Sequence, residues 1–206
     1  MARPRQALID RARLVESSLR ILDTEGTDAL TMQRIAQELG VRAPSLYHHV
    51  GGINDVVALL GAHISEAVTV DPEVLARADP VEIFCAFGRS YLRALLLHPA
   101  LVPLLIAQPM DVDDIEPYEE AATTLCAMGD MSPQVALEAI LALEAVVFGT
   151  AILVSSTKLP IELVKANPTR FPTLASAVNA GPRPEVDDGF DATVEAIARR
   201  YLTPAS

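Results

Sequence analysis

An all-α fold is predicted for this chain of 206 residues, and three observations predict it. Apolar residues recur at helical spacing, strand-like alternation is nowhere sustained, and Pro or Gly breaks the chain at intervals of helix length. Half of the residues are apolar, which is ample for a packed core. The expected organisation is a small three-helix unit over residues 6–52 joined to a larger helical body over 53–206. No internal repeat or low-complexity block interrupts it.

A first helix is expected from Gln6 to Thr24, with Val15, Leu19 and Leu22 on one face and Gly26 closing its C-terminus. Thr31 is placed to cap a second helix whose Ile35 and Leu39 point inward, and Gly40 supplies a tight turn into a third. Pro44 is compatible with that third helix because a first turn needs no amide from it. Asn54 is expected to cap a fourth helix from Asp55 to Val68. Asp79-Pro80-Val81-Glu82 has the pattern of a capping box. The helix it opens runs to His98, ahead of Pro99, and carries Phe84, Phe87 and Tyr91 on one side. Shorter helices are expected over 100–107 and 114–128. Ser132-Pro133 opens a long apolar helix reaching Ser156. Pro160, Pro168 and Pro172 divide the next section, and Gly181-Pro182-Arg183-Pro184 reads as a loop. A last helix, Asp187 to Leu202, places Phe190, Val194, Ile197 and Tyr201 in one stripe, with acids at its start and Arg199 and Arg200 at its end as the helix dipole favours.

The segment from Leu30 to Val50 is the most telling. Two short helices meet at Gly40, and the second carries Arg42, Ser45, Tyr47, His48 and His49, groups long or polar enough to reach a nucleic acid. That is a helix-turn-helix, which lays one helix in the major groove. The charge distribution agrees. Net charge is -11 overall, yet residues 1–50 hold seven Arg against six acids. The remainder holds nine Lys and Arg against twenty-one acids, a net of -12. Phosphate contacts depend on local basic groups, so the first fifty residues are where DNA would bind. The acidic body would favour solubility and discourage unspecific adhesion.

Residues 6–60 resemble the DNA-binding domain of the TetR family of one-component bacterial regulators. The resemblance rests on Leu30-Thr31, Ile35-Ala36, Leu39-Gly40-Val41 and Pro44-Ser45-Leu46-Tyr47-His48-His49-Val50. It implies a homodimeric, cytoplasmic regulator, a repressor rather than an activator, released from a palindromic DNA operator by a small-molecule effector. The expected DNA-contacting residues are Thr31, Gln33, Arg42, Ala43, Ser45, Tyr47, His48 and His49. Thr31 offers a hydroxyl to phosphate, Gln33 and Arg42 reach base edges, and Ser45 donates to phosphate or base. Tyr47 and His49 touch the DNA backbone and His48 faces the groove, while Leu46 and Val50 point into the core. Similar proteins often carry a Lys after the third helix, where this chain has Gly51-Gly52-Ile53. Arg3, Arg5, Arg11 and Arg13 are the alternative phosphate anchors, with Arg3 and Arg5 entering a minor groove as an arm.

In the body, Ala142, Ala145 and Gly149 form a small-residue strip on the long helix. With the Phe190–Tyr201 stripe it would build a four-helix dimer interface through 133–156 and 187–202. His63, Phe84, Phe87, Tyr91, His98 and Phe148 are candidates for lining an effector cavity. Residues 136–154 are long and apolar enough to invite a transmembrane reading, but Glu138 and Glu144 argue for a helix buried in protein on most sides. Cys85 and Cys126 lie far apart, so neither a disulfide framework nor a zinc site is expected. No metal-binding, phosphate-loop or nucleophile motif occurs, so the chain is not expected to be an enzyme or to need a cofactor. The competing reading is a helical protein-interaction module whose DNA binding is weak or lost.

Overall fold

The computed structural model describes residues 10–109, 112, 115–156, 161–180 and 186–203, with the side chains of 155, 156, 161 and 186–188 excepted. The described residues are α-helical with short 3-10 turns and contain no strand. The arginine arm at residues 3 and 5 and the loop at 181–184 lie outside them.

Helix α1 (Arg11–Glu25) starts one residue after Asp10, whose carboxylate accepts from the Arg13 amide at 2.8 Å. Residues 6–9, expected in that helix, lie outside the described residues. Gly26 ends α1 at φ 86°, and its amide donates to the Leu22 carbonyl at 3.1 Å. α2 (Met32–Leu39) and α3 (Ala43–Leu46) follow. Then α4 (Ile53–Ala67) crosses to the body, packing on α1 and, farther along the chain, on α6 (Pro80–Leu97) and α7 (Val102–Ala107). It starts two residues earlier than expected. Gly52, not Asn54, occupies its cap, and the Asp55 carboxylate reaches back to accept from the Gly51 amide at 2.6 Å.

In the body, α5 (Pro72–Arg77) is a short helix capped by Asp71, and Asp79 caps α6 by accepting from the amides of Val81 and Glu82. Glu82 does not complete the reciprocal box but pairs with Arg77 at 3.0 Å. Beyond α6 lie α8 (Glu116–Gly129), α9 (Pro133–Ser156), α10 (Ile161–Ala166), α11 (Pro172–Asn179) and α12 (Val186–Leu202). α6, α9 and α12 pack mutually, and α8 lies along α9. Gly88 permits this close approach, because a Cβ there would come within 2.9 Å of Leu143 Cδ1 and 3.3 Å of Val194 Cγ1.

Two expectations for the body need correction. Phe190 and Val194 are 4% and 1% exposed and pack against α6 and α9 within the chain, which leaves the half-buried Ile197 and Tyr201 as the part of the stripe open to a second copy. The long helix α9 is also less enclosed than expected. It is long and apolar enough to cross a membrane by length and composition, and 28% of that span is buried. Ala136, Ala139, Leu143, Val147 and Ala151 face the core, whereas Leu137, Leu141 and Leu153 are left outside. Ala145 is exposed as well, and a Cβ on Gly149 would meet nothing within 4 Å.

Candidate nucleic-acid interface

The reading unit is built from local rules. The Thr31 hydroxyl accepts from the Arg34 amide at 3.1 Å, fixing the start of α2. Ile35, Ala36 and Leu39 are buried against α1. At the far end Gly40 adopts φ 69°, ψ 29°, the left-handed conformation. The Gly40 amide donates to the Gln37 carbonyl at 3.1 Å and the Val41 amide to the Ala36 carbonyl at 2.9 Å. This pair of bonds is a Schellman motif, and it needs a residue that tolerates positive φ.

Helix α3 is a single turn with Arg42 at its cap and Pro44 in its first turn, and no side chain caps it. Regular helix stops at Leu46, so Tyr47, His48 and His49 sit in the turn that follows. The His49 and Val50 amides both donate to the Leu46 carbonyl, at 2.8 and 3.0 Å. Leu46 and Val50 are buried, as expected, which turns the intervening residues outward. Thr31, Gln33, Arg42, Tyr47, His48 and His49 are exposed, and Ala43 and Ser45 half-buried.

Charge is apportioned sharply in this unit. Arg34 binds Glu25 and Glu38 at 2.6 and 2.8 Å, and Arg20 binds Glu38 and Glu16, each at 3.0 Å. These bonds hold the Arg34 guanidinium well above its ordinary range, and the Arg34 hydrogen bonds hold the Glu25 carboxyl below its own. The chain of ion pairs ties α2 to α1 and occupies two arginines internally. Arg11 lies 3.6 Å from Glu66 on α4. Arg42 forms no ion pair among the described residues. At the position where a Lys anchor is missing, the Asp55 carboxylate stands against the Gly51 amide instead.

The candidate effector residues fall in four different places. Phe87 and Tyr91 on α6 and Phe148 on α9 come together, with ring centroids 6.2 Å apart for Phe87 and Tyr91 and 5.7 Å for Tyr91 and Phe148. Phe84 is 5% exposed and belongs to the core. His98 caps α6 at the junction, where its Nδ1 meets the Asp23 carboxylate of α1 at 2.8 Å. His63 is exposed on α4, away from the aromatic group. Glu144 and Tyr118 were not among the candidates, yet the Tyr118 hydroxyl donates to Glu144 Oε1 at 2.7 Å beside those rings. The sequence signal for Glu144 is an acid within an apolar helical run. A separate cleft between Leu30, Val57 and Leu104 measures about 140 Å³, below the roughly 300 Å³ at which drug-sized sites begin. Cys85 is buried and Cys126 half-buried, both as free thiols. Burial raises the pKa of the Cys85 thiol.

Two short helices joined through a left-handed glycine, with polar and cationic groups turned outward, define a helix-turn-helix protein. Residues 14–58 match the model for bacterial regulatory proteins of the tetR family, a stretch that takes in the whole helix-turn-helix. An uncharacterized HTH-type transcriptional regulator of Mycobacterium tuberculosis is 34% identical over 120 residues, 56% of this chain and 53% of that protein. The HTH-type transcriptional repressor DrrR1 of Streptomyces coeruleorubidus is 28% identical over 140 residues, 68% of this chain and 51% of the relative. The chain thus spans about half the length of the curated relatives it matches. Among solved structures, the TetR family protein ActR of Streptomyces coelicolor in complex with actinorhodin superposes with a TM-score of 0.76 at 26% identity. That match covers 96% of this chain and 97% of the other.

Proposed function

We propose that this protein is a ligand-responsive transcriptional regulator, a repressor that leaves a palindromic operator when a small molecule binds. Residues 6–52 are the reader and 53–206 the sensing and dimerising body. The observation that carries this reading is the outward set Gln33, Arg42, Tyr47, His48 and His49, held by a glycine turn over a buried Leu46 and Val50. Arg20 and Arg34 are spent on internal pairs, which leaves Arg42 as the turn's cation for DNA. Thr31 still has a hydroxyl hydrogen to give a phosphate while its oxygen caps α2. The repressor DrrR1 and the actinorhodin-bound ActR support regulation and effector binding in a protein of this shape. The effector acts by favouring a conformation in which the two readers are wrongly spaced. Such a protein works in the cytoplasm, on chromosomal DNA.

The test is a fluorescence-anisotropy titration of the purified chain against DNA from its own upstream region, with scrambled competitor, at two salt concentrations. Saturable, salt-sensitive binding that the scramble does not compete supports the reading. If that DNA is bound no more tightly than the scramble, a selection from genomic fragments follows. Failure to enrich any sequence there overturns the regulator in favour of an interaction module.

A further inference from the structure

The body holds one feature that the operator-reading unit does not explain. Glu144 sits half-buried in the long apolar helix α9, one turn before Phe148 on the same face. Across from them, α6 presents Phe87 and Tyr91, also one turn apart, and α8 presents Tyr118. Tyr91 packs edge-on against Phe148 with centroids 5.7 Å apart, and Phe87, 41% exposed, stands at the rim 6.2 Å from Tyr91. Among the described residues, the hydrogen bond to the Glu144 carboxylate comes from a neutral phenol, Tyr118, at 2.7 Å. No Lys, Arg or His pairs with it among the described residues.

A carboxylate drawn out of water without a counter-ion is costly, and a fold that needed only packing here would place Gln or Leu. Burial raises the Glu144 carboxyl above its ordinary range, and Tyr91 is pushed up to about 12 by its own burial and the nearby acid. Burial is the larger cause for both groups, and the Glu144 charge adds to it at Tyr91. The rings beside it supply the second half of a recognition surface, since π faces attract cations, most strongly where water is excluded. A metal ion is a poor occupant. Hard cations take several oxygen ligands, and no cluster of three His, Cys, Asp or Glu side chains occurs among the described residues. An anionic ligand would meet both this charge and the acid excess of the body.

Building on the reading of this chain as an effector-controlled regulator, we propose that the effector is an aromatic or lipophilic amine, protonated at neutral pH. Its ammonium group sits against Glu144, with Tyr91 and Phe148 on its flank and Phe87 at the entrance. Phe87, Tyr91 and Phe148 recognise the apolar part and Glu144 selects the charge.

The test uses the full-length protein and a matched pair of probes, (2-naphthylmethyl)trimethylammonium and its uncharged isostere 2-neopentylnaphthalene, followed by equilibrium dialysis. The cation is expected to bind at least about tenfold more tightly than the isostere. Glu144→Gln should abolish that preference while leaving isostere binding intact, and Phe148→Leu should weaken the cation more than the isostere. A preference unchanged in Glu144→Gln, or binding of neither probe, overturns the proposal. Thermal melts of both variants report whether they fold, and Glu144→Asp, which keeps the charge, should retain part of the preference. Operator binding is measured on the same wild-type preparation. Loss of sequence-specific binding there defeats the regulator reading whatever the probes do. Intact operator binding without cation preference defeats the amine effector alone.

Discussion

Arg42 and Glu144 are single charges to which the fold gives no opposite partner among the described residues, and each supports a sharp prediction. Arg42→Ala is expected to relax operator preference at one base position, at a cost of about 1–3 kcal/mol, because a bidentate contact to guanine is lost. Tyr47→Phe should instead weaken all sequences alike, since a hydroxyl on phosphate carries no base information. A panel of single-base operator variants titrated with each mutant separates the two, and an even loss for Arg42→Ala would reassign it to the DNA backbone. Glu144 acts on stability. Its folded-state pKa is raised by burial, so the folded chain binds its proton more tightly than the unfolded chain does. Stability therefore falls as pH climbs from the ordinary carboxylate value through the raised one. Glu144→Gln cannot titrate and still accepts from Tyr118. Its melting temperature should exceed that of the wild type at neutral pH, and the gap should close in acid. A gap independent of pH would assign the effect to packing. Features such as the Thr31 cap and the Gly40 turn were legible in the sequence because they act within a few residues. The Tyr118–Glu144 and Asp23–His98 contacts join positions 26 and 75 residues apart, and no local rule brings such partners together.

Between elements, α4 crosses from the reader to the body, and two hydrogen bonds brace that junction beside the Arg11–Glu66 pair. One is the Asp23–His98 contact between α1 and the end of α6, and the other is Gln108 Nε2 donating to the Asn54 carbonyl at 3.1 Å. Gly61 lies where α4 approaches α7 closely, and a Cβ there would lie 3.0 Å from Leu105 Cδ2. That neighbour is the end of a flexible side chain, so a small addition is absorbed but a large one pushes α4 away from α7. Gly61→Leu is therefore expected to change the effector concentration needed to release DNA by more than it changes operator affinity without effector. Equal losses in both titrations would mean that α4 is a passive strut. Stripe analysis identified which face of each helix is buried, as for Phe190 and Val194 on α12, but not against what. An amphipathic stripe reports the need for cover, and a neighbour within the chain satisfies it as well as a second copy does. The start of α4 was misplaced for a related reason. Asn54 is an able cap by type, but the Asp55 carboxylate fixes the Gly51 amide and moves the helix start forward.

At the scale of the whole molecule, the exposed face of α9 is the feature that most needs a partner. Leu137 and Leu141 are 46% and 51% exposed one turn apart, Ala145 continues the line, and Gly149 leaves room for a close approach. An apolar face of that length left in water is unfavourable, and a second copy across a two-fold axis would cover it with the same face. On α12, which packs against α9, Ala192 and Ala196 are exposed and Ile197 and Tyr201 half-buried, so two α9–α12 pairs could meet through these residues. This geometry matters for reading DNA, because only a dimer presents two α3 turns to half-sites one helical turn apart, roughly 34–36 Å. Leu141→Glu places like charges against each other across the axis while touching nothing in the monomer core. In sedimentation velocity the wild type is expected to run as a dimer and Leu141→Glu as a species of 22.0 kDa with an unchanged circular-dichroism spectrum. Operator affinity should fall by at least about tenfold, since each reader then binds its half-site without its twin. A Leu141→Glu protein that still sediments as a dimer would move the interface off this face. A monomer with undiminished operator affinity would show that reading does not require the pair.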